Sequence, residues 1–517
     1  MLEGPGQAFF LRNIVQRSFF DMIILSRLRW HTCAASLLSL IFIFTLSSTA
    51  FAAVTAQSLF QVSRDPYTNS TSQHQTEVEP DSYSNGSTIV SATQVGRFND
   101  GGASNIGWAT STDNGATWHG GFLPNTTVYA TPSGTFDRVS DPSVAYDAAH
   151  KHWLISSLAI SNATGTPVGA AVIVSISSDG GLTWNVPMTA ANANGGFFDK
   201  DWIVCDNTAT SKFYGHCYVE WDIASSGDLV QMSTSNDGGN TWSAGQATAD
   251  NATGLGGQPL VQPNGTVVVP FLSSGALGFS SSISAFTSTN GGSSWNSSVS
   301  ISSQTDHQVV SIRTEPLPSA EIDSAGKVYV AWQDCRFESG CSANDIVMST
   351  STDGNTWSAV QRIPIDAVGS GVDHFIPGLA VDSSTSGSAT HLALAYYYYP
   401  NANCTTSTCQ LEVGFVSSVD GGNSWSKSTT LTSTAMNLTW LANTTDGYMV
   451  GDYISTSFLV GKAFPLFITA SAPNGSQFNE ALFTVTTGLT IAGGTSTAST
   501  DRAIFTHSTQ SVTRTAY

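Results

Sequence analysis

Charged side chains are scarce, at 11% of the 517 residues. Basic ones are scarcest, with 18 Lys and Arg against 37 Asp and Glu, so the net charge is −19 at pH 7. A chain this acidic repels nucleic acid and anionic membrane surfaces, which excludes both as partners. The shortage of charge does not mean disorder, because apolar residues still supply 41% and aromatics 10%. With Ser, Thr, Asn and Gly abundant, the composition suits strands and turns better than helices. Long apolar runs are missing too. The one that stands out, Ala34 to Leu46, is short for a membrane span. Arg12, Arg17, Arg27 and Arg29 precede it, and an A-x-A ending (Ala50, Phe51, Ala52) follows. This predicts a secretory signal peptide over residues 1–53, with a retained anchor as the alternative and Met22 as the more ordinary start. Cys33 stands ahead of the apolar core, which excludes a lipoprotein.

Cysteine is also sparse. Seven are present, and six remain after the signal peptide. None of their spacings resembles a cysteine-ligated zinc site, which would want CxxC pairs or nearby histidines. They fall in local pairs: Cys205 with Cys217, Cys335 with Cys341, Cys404 with Cys409. Local disulfides are the simplest framework and suit an exported protein, with free buried thiols as the alternative.

What the chain does have is a phrase. STDNGATW (from Ser111), SSDGGLTW (Ser177), SNDGGNTW (Ser235), STNGGSSW (Ser288), STDGNTW (Ser351) and SVDGGNSW (Ser418) recur at intervals of 53 to 67 residues. The key positions are Asp113, Asp179, Asp237, Asn290, Asp353 and Asp420. Asp-Gly and Asn-Gly supply the positive φ of a tight hairpin. The Asp carboxylate can accept bonds from the turn's own amides, and the Trp offers a large apolar face to a neighbouring unit. An alternating strand precedes the phrases, as in AAVIVSIS (Ala170 to Ser177) and LEVGFVSS (Leu411 to Ser418). An earlier strand pair also precedes them, as in SAEID then VYVAWQD (Ser319 to Asp334). Each phrase therefore joins a third strand to an outermost fourth, and its role is in folding.

Repeated S-x-D-x-G-x-x-W resembles the Asp-box, or BNR, repeat of the sialidase-like β-propellers, from about Glu77 to Leu489. The resemblance implies an all-β fold: a β-propeller of four-stranded antiparallel blades. Seven inner-strand starts favour seven blades, and six is the alternative: EVEP (Glu77), SDPS (Ser140), DKDW (Asp199), GQP (Gly257), RTEP (Arg313), DHFIP (Asp373) and GDY (Gly451). The domains read as signal peptide 1–53, linker 54–75, propeller 76–490 and tail 491–517. DRAIFTH (Asp501 to His507) in that tail is a candidate closing strand.

In a propeller the first residues of the inner strands line one mouth of the axis. Glu79, Asp141, Asp199 or Asp201, Glu315, Asp373 and Asp452 would form a carboxylate ring there. Crowded carboxylates cannot all ionise, and a raised acid beside an ionised one suits glycoside hydrolysis. Hard oxygens would also suit Ca²⁺; otherwise no cofactor or metal is expected. By position around the ring, the family resemblance implies Asp141 or Asp201 as acid/base and Glu315 with Tyr453 as the nucleophilic pair. Arg97, Arg138, Arg313, Arg336, Asp373, His374 and Asp452 would bind substrate. Trp202, Trp221, Trp332, His374 and Tyr396 to Tyr399 could stack on sugars or pack between blades. The family's first Arg-Ile-Pro is replaced by Val78-Glu79-Pro80, while Arg362-Ile363-Pro364 follows the fifth phrase on an outer strand. The expected function is a secreted exo-glycosidase of sialidase-like ancestry acting on glycans. A non-catalytic glycan- or protein-binding propeller at the cell surface is the rival.

Overall fold

The computed structural model describes residues 57–274, 281–494 and 496–497. The expected signal peptide and DRAIFTH lie outside them. Among the described residues, strands and short 3₁₀ turns are the regular elements, and no helix is long and apolar enough to cross a membrane.

The strands fall into modules of antiparallel neighbours. The first runs Glu77–Asn85, Thr88–Arg97, Ala103–Ser111, His119–Phe122. The second runs Arg138–Asp147, His152–Ser161, Val168–Ser177, Met188–Asn192. The third has Phe198–Cys205, Cys217–Ile223 and Leu229–Ser235, with Gln246 bridging Met232 as its outer edge. In the fourth the inner strand is split into Gly254–Leu255 and Leu260–Val261, both paired with Val267–Ser274; Ser281–Ser288 and Val299–Ser303 complete it. The fifth is Ser319–Ile322, Val328–Asp334, Asp345–Ser351, Gln361–Arg362. The sixth is Asp373–Val381, Leu392–Tyr399, Gln410–Ser418, Thr429–Thr430.

The seventh module has no phrase of its own. Ser455–Leu459, Lys462–Ala470 and Glu480–Val485 pair in order. Their outer partner comes from the other end of the chain: Leu59–Gln61 pairs antiparallel with Glu480–Val485. The segment read as a linker thus contains a strand. The inner strand of each module packs against that of the next, and that of the seventh packs against Glu77–Asn85 of the first.

The phrases sit where the third strand turns into the fourth, and all six build one hydrogen-bonded knot. In the sixth, Ser418 Oγ donates to Asp420 Oδ1 at 2.8 Å and accepts the Gly422 amide at 3.0 Å. Asp420 also accepts the Ser424 amide at 2.8 Å and the Ser424 hydroxyl at 2.6 Å. Asn290 repeats the pattern through its Oδ1, with Ser288 at 2.9 Å and the Ser294 amide at 3.1 Å. The later glycine has a positive φ and no room for a side chain. A Cβ on Gly181 would lie 2.6 Å from Val90 of the preceding module, and one on Gly422 the same distance from Met348. Gly115 of the first module abuts Phe464 of the seventh in the same way. The tryptophans also reach back: Trp184 meets Trp108 at 6.4 Å and Trp295 meets Tyr218 at 6.2 Å, centroid to centroid. The three expected local disulfides are formed.

Removing the knot's acceptor in Asp420→Ala strands several donors, as loss of a helix cap does, and should cost about 1 kcal/mol. Asp420→Asn should cost less, because Asn290 already performs this role. Urea unfolding midpoints of the two variants check both; equal losses would contradict the assignment.

Candidate functional site

Four inner strands carry a bulge near their starts. The ladder shifts register between Val78 and Asp81, Ser140 and Ser143, Asp199 and Asp201, and Phe375 and Gly378. Inside the bulges, Glu79, Asp141, Lys200 and Ile376 take φ values of 56°, 49°, 42° and 49°. Left-handed backbone costs these non-glycine residues roughly 1 kcal/mol or more each and re-aims the side chain. Glu79, Asp141 and Lys200 are thereby brought together from three successive modules.

The carboxyls of Glu79 and Asp141 lie within hydrogen-bonding reach of each other, and each acts on the other's acidity. Burial, then the neighbouring Asp141, pushes Glu79 up to about 7. Burial pushes Asp141 up to about 6, with Lys200 opposing. Gln94 Nε2 donates to Glu79 and, at 3.0 Å, meets Ser140 Oγ. The Lys200 ammonium, 6% exposed, has no hydrogen-bond acceptor. It lies 3.7 Å from the Tyr453 ring centroid and 4.9 Å from that of Trp202. The two rings meet edge to face at 5.1 Å. Cation–π attraction replaces the missing hydrogen bonds in part, and the charge acts on Glu79, Asp141, Asp201 and Asp452.

The second half of the site joins Arg313 and Asp452, which lie just ahead of the fifth and seventh modules, to Arg97 of the first and Asp199 of the third. Arg313 Nη2 binds Asp452 Oδ2 at 2.5 Å, and Asp452 Oδ1 has no partner. Arg97 is buried, donating to the Phe98 carbonyl at 2.6 Å. Burial and then the charge of Arg313 lower its proton affinity, while Glu79, Asp452 and Glu480 oppose them. Asp199 is half-buried; burial lifts it to about 6, against the pull of Arg313. Glu315 acts on both Asp199 and Arg313.

Tyr453 is 4% exposed, and its hydroxyl donates to the Pro142 carbonyl at 3.0 Å. Burial raises its pKa well above the ordinary value, and the acids acting most strongly on it are Glu79 and Asp141. Asp201, beside Ser156, is buried and lifted to about 8. The other expected residues are engaged elsewhere. Arg138 holds Asp100 at 2.6 Å and covers the Phe98 ring at 4.1 Å. Arg336 binds Asp334 at 2.6 Å and Ser302 at 2.9 Å. Asp373 accepts from Asn344 and holds His307 at 2.9 Å. His374 packs against Tyr396 and Tyr398. Trp221 and Trp332 are buried in the core between modules. Lys200 and Gln94 were not expected in the site. The signal for Lys200 is its place in DKDW, where EVEP and SDPS have their acid.

Buried acids fix the pH response of the fold. Burial lifts Glu77, Asp201 and Glu321 to about 8 and Glu79 to about 7. Each binds its proton more tightly folded than unfolded, so its stabilising contribution is full below about pH 4 and is lost as pH rises through about 7 to 8. Asp113 and Asp353 act oppositely: hydrogen bonds from Thr117 and Thr356 hold them down to about 2, and their contribution is lost only as pH falls below about 4. The thermal midpoint should therefore peak near pH 4–5 and fall by pH 8.5, as scanning calorimetry across buffers will show. A midpoint that rises towards pH 8.5 would contradict the burial of these acids.

The comparisons with known proteins agree with this architecture. A family model described as a BNR repeat-like domain matches residues 213–378, a span holding three of the six phrases. No curated protein matches the chain. Among solved structures, an ulvan lyase of a polysaccharide lyase family, bound to a GlcA–Rha3S saccharide, is 10% identical with a TM-score of 0.50, over 83% of this chain and 96% of its own. An intramolecular trans-sialidase from Ruminococcus gnavus is 15% identical with a TM-score of 0.38, over 80% and 94%. A protein of unknown function from Dyadobacter fermentans is 16% identical with a TM-score of 0.44, over 70% and 99%. By its matched repeats and its six knots, the chain is similar to BNR-repeat, or Asp-box, proteins over residues 213–378.

Proposed function

We propose that the seven modules are the blades of a closed seven-bladed β-propeller, and that the protein is a secreted glycan-active enzyme working at one mouth of its axis. The pairing of Leu59–Gln61 with the last module and the contact of Gly115 with Phe464 support closure. The chemistry is exo-glycosidase chemistry of sialidase-like ancestry. The observation that carries it is the meeting of the buried Glu79 and Asp141 carboxyls from adjacent modules, with the Lys200 charge acting on both.

Two carboxyls within hydrogen-bonding reach are too close to flank a glycosidic bond, which needs acids about 5 to 9.5 Å apart. The pair therefore works as one general acid, with Asp141 donating to the leaving oxygen and Glu79 retaining it in protonated form. Asp199, half-buried and next to Glu315, supplies the opposing carboxylate. Tyr453 serves as the apolar floor under Lys200 rather than as nucleophile, because its hydroxyl is bound to Pro142. Arg313 and Arg97 would orient polar groups of the sugar. The missing arginine at Val78-Glu79-Pro80 favours the second reading, a propeller that binds glycans without turning them over.

The test is turnover of a panel of fluorogenic glycosides, an α-sialoside included, by the chain from Ala53 onward. Asp141→Asn should lower kcat by about 10²- to 10⁴-fold, and Asp199→Asn should have a comparable effect. Activity should fall as pH rises past about 7, when the pair loses its proton. Turnover that survives both variants would remove these residues from the mechanism. No turnover, with retained binding on a glycan array, would establish the second reading.

A further inference from the structure

We infer that Asp345, Asp366 and His374 form a binding site for one first-row divalent metal cation at the seam between the fifth and sixth modules. Asp345 opens the strand Asp345–Ser351, Asp366 lies in the connection between modules, and His374 is the second residue of Asp373–Val381. Each residue offers one ligand atom, and these atoms lie within 4.8 Å of one another. Asp345 and His374 are 3% and 1% exposed.

The hydrogen bonds around the three residues leave their ligand atoms available. His374 Nδ1 lies 3.2 Å from the Asn344 carbonyl oxygen. A carbonyl can only accept, so Nδ1 carries the hydrogen and Nε2 presents its lone pair. That Nε2 is 3.7 Å from Asp366 Oδ2. The separation is too long for a hydrogen bond, yet it suits two ligands sharing an ion at bond lengths of about 2.0–2.2 Å. Arg362 fixes both carboxylates from behind, its Nη2 2.7 Å from Asp345 Oδ1 and 2.6 Å from Asp366 Oδ1. Its Nη1 donates to the Asp366 carbonyl at 2.8 Å. Asp366 Oδ2 accepts Ser370 Oγ at 2.6 Å. Asp345 Oδ2 is buried with no hydrogen-bond partner. A dry, unpartnered carboxylate oxygen is costly, and a coordinated cation removes the cost.

The local charge calls for the same ion. Asp345, Asp366 and Glu338, which acts on Asp345 and accepts the Gly369 amide at 3.0 Å, carry three negative charges against the one positive charge of Arg362. One divalent cation balances the remainder. One imidazole with two carboxylates suits Zn²⁺, Mn²⁺ or Fe²⁺ better than Ca²⁺, which prefers oxygen alone. Arg362 and the Asn344 carbonyl are the outer groups that orient such ligands. Bound there, the ion would tie a strand of one module to the inner strand of the next.

The test uses the full chain, stripped with chelator and dialysed against Zn²⁺, Mn²⁺ or Ca²⁺. Retained metal is measured by mass spectrometry and the thermal midpoint by calorimetry. One equivalent of Zn²⁺ or Mn²⁺ should be retained and should raise the midpoint, with Ca²⁺ doing neither. Asp366→Asn and His374→Gln should each weaken binding at least tenfold and abolish the metal-dependent rise. Asp366 is half-buried, so its variant carries the test if His374→Gln fails to fold. No stoichiometric retention by the native chain would overturn the site. So would retention unchanged in Asp366→Asn, which would place the ion elsewhere.

Discussion

The architecture rests on a small hydrogen-bonded turn. In each knot a serine hydroxyl and a carboxylate, or one asparagine amide, take up amides that the tight turn would leave unpaired. Each knot is worth little alone. Its larger effect is geometric, because it lays a glycine without Cβ against the preceding module. Neighbouring sheets can then approach closely enough to bury their facing valines, leucines and isoleucines. Much of the stabilisation comes from that apolar contact, and the knots set the spacing at which it is made.

The centre of the molecule follows a different logic. Bulges with left-handed backbone at Glu79, Asp141 and Lys200 are strained, and the acids they gather are dry. Neither feature helps the fold. Both are sustained by the surrounding sheets, and together they set two buried carboxyls near a lysine that lies over two aromatic faces. Strain and perturbed acidity concentrated at one place are the marks of a functional site. The same arrangement of buried acids makes the fold favour acidic conditions.

Much of the fold was legible because the knot is local. Ser, Asp, Gly and Trp are within eight residues of each other, so spacing alone carries the turn, and the short disulfide loops are equally local. Leu59–Gln61 was not legible. Three residues carry no strand pattern, and the strand exists only because Glu480–Val485 offers an edge more than 400 residues away. The carboxylate ring was partly legible. Aligning the strand starts on proline marked Glu79 and Asp141, but in the third module Asp201 takes the place of proline and Lys200 takes the place of the acid. Arg138, Arg336 and Asp373 carry suitable chemistry at suitable positions, yet Arg138 and Asp373 meet the loop residues Asp100 and His307, and Arg336 folds back on Asp334 two residues before it.

The sequence by itself therefore determined the repeat, its turn chemistry, the all-β class and the disulfide partners, since each depends on residues within one turn or one hairpin. Only the tertiary structure decided how the last module is completed and which buried acids meet. It also decided which basic groups face them, and that Arg362 braces two aspartates beside His374. Those outcomes depend on register shifts within strands and on contacts between modules, where a single bulged residue redirects a side chain.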